Sequence, residues 1–538
     1  MLSRKAVRRN VWFATLALSA ALATAGAQIA PPPADSQAPP SQPSAKPAPP
    51  THITPAQAKE LFASVGQILQ FASSDTRLPI KHEVKSRLTT RAQVEKYLLD
   101  KMNDDKDAKR MERSAIVLKK FGLIPADFQL QPFLVKLLDE QIAAYYDSKT
   151  KTVNLLDWIE PDTQKPVLAH ELTHALQDQR VHLDKWENQT SDDISRNYTE
   201  DRKHVATDEV DTAREAVLEG QAMAVFVDYS LAPLHRNLRD SPEYADKFAD
   251  IAGDPTDSPV LSRAPLLLQE SLLFPYTDGL RFEATLLADS PTPAGAFAAV
   301  LDRPPATSYE IMNPHAYERQ VKVPLLNMPD IHPVIDADYS PYDIGVMGAL
   351  DVRILAETFS GKDMAAALTP AWDGGLYYAA QRKNAPDKDS TASVALLYLS
   401  QWKSEEAAQI FAKMYAEELP RQYTRAVPDA AAETSPDEQI YGTNEGPVLI
   451  VISGHDVFVS EGFELPTARK LQLLMLGAQQ GSGMQVASLP IAPPSWTSGW
   501  SPTAPAPDPA PLVPQSGLTG SIVHFMADCG MMRAALPH

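Results

Sequence analysis

Residues 165–179 read KPVLAHELTHALQDQ, and what surrounds this stretch must be built to serve it. His170 and His174 stand four apart, and residues four apart on an α-helix lie one above the other on one face, so two imidazoles can reach a single metal ion. Glu171 lies about 100° around the helix from His170, near enough to hold a water at that metal without entering its coordination shell. The arrangement needs a helix, and the flanking residues supply one. Pro166 suits a first turn, neither Gly nor Pro recurs before Gly220, and Leu168, Leu172, Ala175 and Leu176 form a core-facing stripe at helical spacing. Asp178, one turn past His174, is expected to accept a hydrogen bond from an imidazole and fix its tautomer.

A catalytic zinc site takes three protein ligands and keeps one position open. For the third, the sequence offers Glu219, Glu215, Glu209 and His204. No HExxHxxGxxH extension follows, because 175–180 contains no glycine. Residues 208–229 read as one long helix, on which Ala216, Gly220 and Ala224 form a small-residue stripe. A glycine inside a helix costs about 1 kcal/mol against alanine, so the stripe predicts a close approach, here to the motif helix. Such an approach would bring Glu219 to the metal. Glu215, one turn earlier, remains a rival ligand or a hydrogen-bond partner behind the ligands.

The decapeptide HELTHALQDQ at 170–179 resembles the catalytic helix of thermolysin-like gluzincin metallopeptidases, and more closely that of an uncharacterised bacterial group of predicted gluzincins; the close match spans 140–230. The resemblance implies Zn2+ on His170 and His174, Glu171 as general base, and hydrolysis of a peptide or protein substrate. EGQA at 219–222 matches an EG-x-A element of that group, which implies Glu219 as third ligand. Gluzincins also use a His or Tyr to bind the developing oxyanion, for which Tyr276, Tyr309, His315 and Tyr317 are candidates. Their strand before the motif helix lies at the rim of the cleft and pairs with extended substrate, and the resemblance implies the same for the hairpin at 141–156. RPPATSYEIMNPHAY at 303–317 is similar to a segment of the same group. Two other readings stay open: a non-catalytic envelope or interaction protein with a structural zinc site, and a zinc hydrolase of a non-peptide amide.

The rest of the 538 residues sets the context. Residues 1–27 have the basic, apolar and small-residue succession of a secretory signal, so an exported product, periplasmic or extracellular, is expected without stable membrane insertion. Its removal takes away Arg4, Lys5, Arg8 and Arg9 and no acid, leaving a chain more acidic than the formal −19 of the whole, which argues against a nucleic-acid partner. Cys529 is the sole cysteine and can form no intramolecular disulfide. Segment 28–52 is Pro/Ala-rich and reads as a disordered tether, 53–140 as helical, 141–235 as the metal-binding core and 236–484 as an α+β region. Segment 485–515 is again Pro-rich, and 516–538 is a tail. Within the α+β region, DIGVMGALDVRILAETF reads as an amphipathic helix, TASVALLYLSQW as a strand, PVLIVISGHDVFVS as a hairpin and WDGG at 372–375 as a turn. No nucleotide-binding glycine loop or serine elbow is present. The fold class expected is α+β, mainly helical, with a small sheet just before the motif helix.

Overall fold

Thr54 begins the described fold. Its side chain accepts the Gln57 N–H and Gln57 Oε1 accepts the Thr54 N–H at 2.8 Å, a capping box with Pro55 in the first turn that starts α1 (Pro55–Thr76). The computed structural model describes residues 52–102, 105–186, 196–256, 258–480 and 484–485, with the side chains of 100–112 and 484–485 left aside. The expected signal segment, nearly all of the tether, the Pro-rich segment beyond Gln485 and the tail lie outside the described residues.

After α1 come β1 (Lys85–Thr89), α2 (Arg91–Met102), α3 (Asp105–Lys120), α4 (Leu130–Gln141), β2 (Ala144–Asp147), β3 (Thr152–Leu156) and the motif helix α5 (Pro161–Val181). The Thr90–Gln93 pair caps α2, and α3 stops before Gly122, whose φ of 72° is the left-handed conformation glycine adopts freely. β2 and β3 form the expected antiparallel hairpin. β1 was not legible: KSRLT has one large apolar residue, Leu88, yet it pairs in parallel with β3 and gives the order β1-β3-β2. The strand directly before α5 is therefore the centre of its sheet, and of the two edge strands, β1 and β2, it is β2 that lies against α5. α5 also starts a turn earlier than expected. Pro161 opens it and Pro166 sits inside, where it leaves the Asp162 carbonyl without an intrahelical donor.

Next follow α6 (Tyr198–Thr207), α7 (Val210–Leu231), α8 (Glu243–Gly253) and α9 (Leu266–Asp289). α6 overlaps 184–206, a stretch whose Asp, Asn, Ser and Thr content reads as a loop. Asn197 caps it by accepting the Thr199 and Glu200 N–H groups, and only Asp201, His204 and Val205 are buried, too few apolar residues to write a stripe. α1, α5, α7 and α9 pack side by side in that order. The small-residue stripe faces α9 rather than α5: a Cβ on Gly220 would lie 2.2 Å from the Gly279 carbonyl oxygen, and one on Gly279 would lie 2.3 Å from that of Ala216. Gly220→Ala should therefore destabilise the protein by about 1–3 kcal/mol despite alanine's better helix propensity, because two backbones must separate. A lowered urea midpoint at unchanged slope checks this.

Asp75 on α1 and Asp228 on α7 form a carboxyl pair, and Asp228 also accepts the Leu238 N–H at 2.6 Å. Burial first, and for Asp75 the neighbouring Asp228 charge, raise the pKa of both. Protonation is thus favoured in the folded state. Their contribution to stability is complete below the ordinary value of 3.8 and is lost as pH climbs through the raised values. Tm should fall in the parent between about pH 5 and about pH 8, and fall less far in Asp75→Asn.

The C-terminal half is built on β4 (Tyr339–Val346), α10 (Ala349–Ser360), β5 (Trp372–Arg382), β6 (Val394–Trp402), α11 (Glu405–Gln422), β7 (Ala426–Pro428), β8 (Glu438–Thr443), β9 (Gly446–Ser453), β10 (Asp456–Glu461) and α12 (Leu465–Gln479). The strands form one antiparallel sheet, β4-β5-β6-β10-β9-β8-β7. Alternate residues go to opposite faces, so Leu396 and Tyr398 join the large core with α10 and α11, while Leu397 and Leu399 join a second core with α12. The large core is continuous from Leu61 to Val459. DIGV is strand, not helix, and the helix begins only after Gly348. WDGG opens β5, with a bulge between Trp372 and Gly374, and is not a turn. The fold class is α+β, and no helix of the described residues is long and apolar enough to cross a membrane.

Candidate metal centre

α5 carries His170 and His174 one turn apart, and their rings stand nearly perpendicular with centroids 4.7 Å apart. The two Nε2 atoms are 3.0 Å from each other. α7 delivers Glu219, whose Oε2 lies 3.0 Å from His170 Nε2 and 3.6 Å from His174 Nε2. Although the contact to His170 is short, no N–H is aligned on Oε2, and that buried oxygen has no hydrogen-bond partner among the described residues. The three ligand atoms lie within 4.8 Å of one another, close enough to share one cation, and the two Nε2 atoms are also within hydrogen-bond reach of each other. Ligands 2.0–2.1 Å from a tetrahedral metal lie about 3.3 Å apart, a value that these distances bracket. His170, His174 and Glu219 therefore form a possible metal-binding group, with two imidazole nitrogens and one carboxylate oxygen suited to a divalent ion.

The electrostatics agree. Burial lowers the pKa of His170. For His174 burial acts the same way, but Glu219, Glu171 and Gln177 outweigh it and hold it at about 9. Against the upward push of burial, His174 and His170 hold Glu219 below the ordinary carboxylate range. The negative ligand thus stays charged wherever a positive centre faces it. Glu171 is 2 % exposed, and burial pushes it up to about 8; the His174 charge and the Tyr146 backbone on β2 oppose the shift, and Glu219 adds to it.

Asp178 does not hold an imidazole. It accepts the Tyr146 hydroxyl at 2.8 Å, Lys151 Nζ at 2.6 Å and the Leu183 N–H at 3.2 Å, tying α5 to the hairpin. The imidazole partner is Gln177, whose Oε1 lies 2.9 Å from His174 Nδ1. Positions three and four beyond a histidine both lie on its face, so spacing alone could not choose between them; the hairpin's Tyr and Lys had claimed the carboxylate. Glu215 is buried, stands outside the ligand group and acts on Tyr276. His204 pairs with Asp208 at 3.4 Å, and Glu209 accepts the Ser308 N–H and hydroxyl. Neither reaches the centre.

Of the oxyanion candidates only Tyr276 is beside it. Its ring centroid lies 6.3 Å from that of His170, and burial, then the charges of Glu219, Glu215 and Glu171, push the phenol well up, so it remains a protonated donor. Tyr309 lies against Trp372, and Tyr317 donates to the Arg303 carbonyl at 2.7 Å. His315 is exposed and pairs with Glu318 at 2.9 Å; with Asp289 they make a second group of possible ligands on the surface. No protein-family model, no curated protein and no solved structure matches this chain.

Proposed function

We propose that the chain is an exported, zinc-dependent peptidase of gluzincin type that hydrolyses peptide bonds. The observation that carries the reading is the convergence of His170, His174 and Glu219 with Glu171 beside them on the same helix. A bound zinc would supply a lowered pKa for water and a Lewis acid for the carbonyl oxygen. His170, His174 and Glu219 would hold it. Glu171, whose carboxyl burial pushes up and the neighbouring His174 charge pulls down, takes the proton of the attacking water in its ionised form and returns it to the leaving nitrogen. Tyr276, kept protonated, donates toward the developing oxyanion. The unpaired edge of β2 offers backbone groups to an extended substrate.

The non-catalytic reading draws on burial, since Glu219 and His170 are almost wholly enclosed. Glu171 weighs against it: a structural site gains nothing from a fourth buried ionisable group, whose desolvation is a cost. Purified protein should contain one zinc per chain and cleave members of a broad peptide library, with cleavage lost to a chelator and restored by Zn2+. Zinc without turnover on any peptide would support the structural reading, and no zinc at all would end both.

A further inference from the structure

Beyond the ligands, α5 and α7 share a chain of buried amides that nothing in the proposed chemistry uses. Gln177 and Gln221 are both wholly buried. Gln221 Nε2 donates to the carbonyl oxygens of Ala296 at 3.2 Å and Phe297 at 3.1 Å. Carbonyls only accept, so the nitrogen of this amide must face them and its oxygen must face the other way. That oxygen accepts Gln177 Nε2 at 3.0 Å, and Gln177 Nε2 also donates to the Leu218 carbonyl at 3.1 Å. Gln177 is thereby oriented twice over, with Oε1 turned to His174 Nδ1. An amide oxygen cannot donate. The hydrogen must sit on Nδ1, which leaves the lone pair of a neutral His174 on Nε2, the atom that faces His170 and Glu219.

We infer that Gln177 and Gln221 are positioning residues: a directional relay, anchored on the Ala296 and Phe297 carbonyls, that fixes the tautomer and ring orientation of His174 for metal binding. The inference rests on the zinc reading for its purpose but not for its geometry. Gln221 lies two residues past Glu219 on α7, so the helix that delivers the carboxylate ligand also orients an imidazole ligand on α5. Partners behind metal-bound histidines typically matter 10–100-fold in metal affinity. The relay extends that dependence one residue further out, to a side chain touching neither ligand nor metal.

Zn2+ affinity of the full chain, measured by competition with a chelating dye, should fall roughly 10–100-fold in Gln177→Leu and fall in the same direction in Gln221→Leu. Gln177→Glu keeps an acceptor for Nδ1 and should bind more tightly than Gln177→Leu. In the metal-free parent with isotope-labelled histidine, at a pH alkaline enough for neutral imidazole, NMR should place the His174 proton on Nδ1; loss of the signals in His174→Gln assigns them. A folded Gln221→Leu with lower Tm but parental Zn2+ affinity means plain packing and overturns the relay, as does a proton on Nε2 in the parent. If the leucine variants do not fold, the parent spectrum decides alone. A parent that takes up no Zn2+ defeats the proposed function, whereas the tautomer of the metal-free protein still tests the relay.

Discussion

Glu171→Gln is expected to retain zinc at the parental level and to lower kcat by roughly 10²–10⁴-fold, the usual contribution of a positioned general base. Glutamine nearly matches glutamate in shape and keeps an acceptor oxygen, so the water can still be held, but it cannot take the proton. Burial pushes the Glu171 carboxyl up to about 8, so glutamine replaces a side chain that folding already favours in its neutral form, and Tm near neutral pH should not fall. His170→Ala should behave in the opposite way: alanine preserves the helix, one of three ligands is gone, and zinc is lost together with activity. The contrast between the two variants, read as zinc content against peptide turnover, separates base from ligand. A Glu171→Gln protein as active as the parent would place the chemistry elsewhere in the chain.

How much of this was legible depended on whether the signal was local. The pair His170–His174 is a property of one helix, and its stripe of Leu168, Leu172, Ala175 and Leu176 is wholly buried apart from a trace at Leu176. β6 and the β9–β10 hairpin were equally plain, because both faces of their sheet are covered and their sequences read as unbroken apolar runs. Where two elements abut without a polar break, the period misled. Ile344, Val346 and Met347 continue the spacing of the helix that follows, and only Gly348 divides strand from helix. Partners were the least legible feature. Gly220 does signal a close helix crossing, but a small-residue stripe does not say which helix crosses there, and the answer is α9 at Gly279. In the sequence Gln177 is masked by the carboxylate next to it, and only the hairpin shows that Asp178 is taken by Tyr146 and Lys151.

Glu219→Ala should cost zinc outright, while Glu215→Ala should lower affinity by no more than about tenfold. Gly220 packs on α9 and does not bring Glu219 to the metal. Glu219 is marked as the ligand by its Oε2, which lies 3.0 and 3.6 Å from the two imidazole nitrogens with no N–H aligned on it and is held charged by the imidazoles against burial. Glu215 is one turn back, about 6 Å along the axis of α7, and its charge is felt at Tyr276. It can act on the site through that phenol but does not join the ligand group. Removing Glu219 also leaves two buried imidazoles without their counter-charge, so binding suffers from the missing donor and from the repulsion of a cation no longer offset. Glu219→Gln sharpens the test, since it keeps the shape and loses the charge; it should bind zinc far more weakly than the parent and remain folded. If Glu215→Ala lost the metal and Glu219→Ala kept it, the third ligand would be Glu215, and α7 would have to rotate or slide by a turn relative to α5, against the Gly220–Gly279 contact that fixes its register on α9.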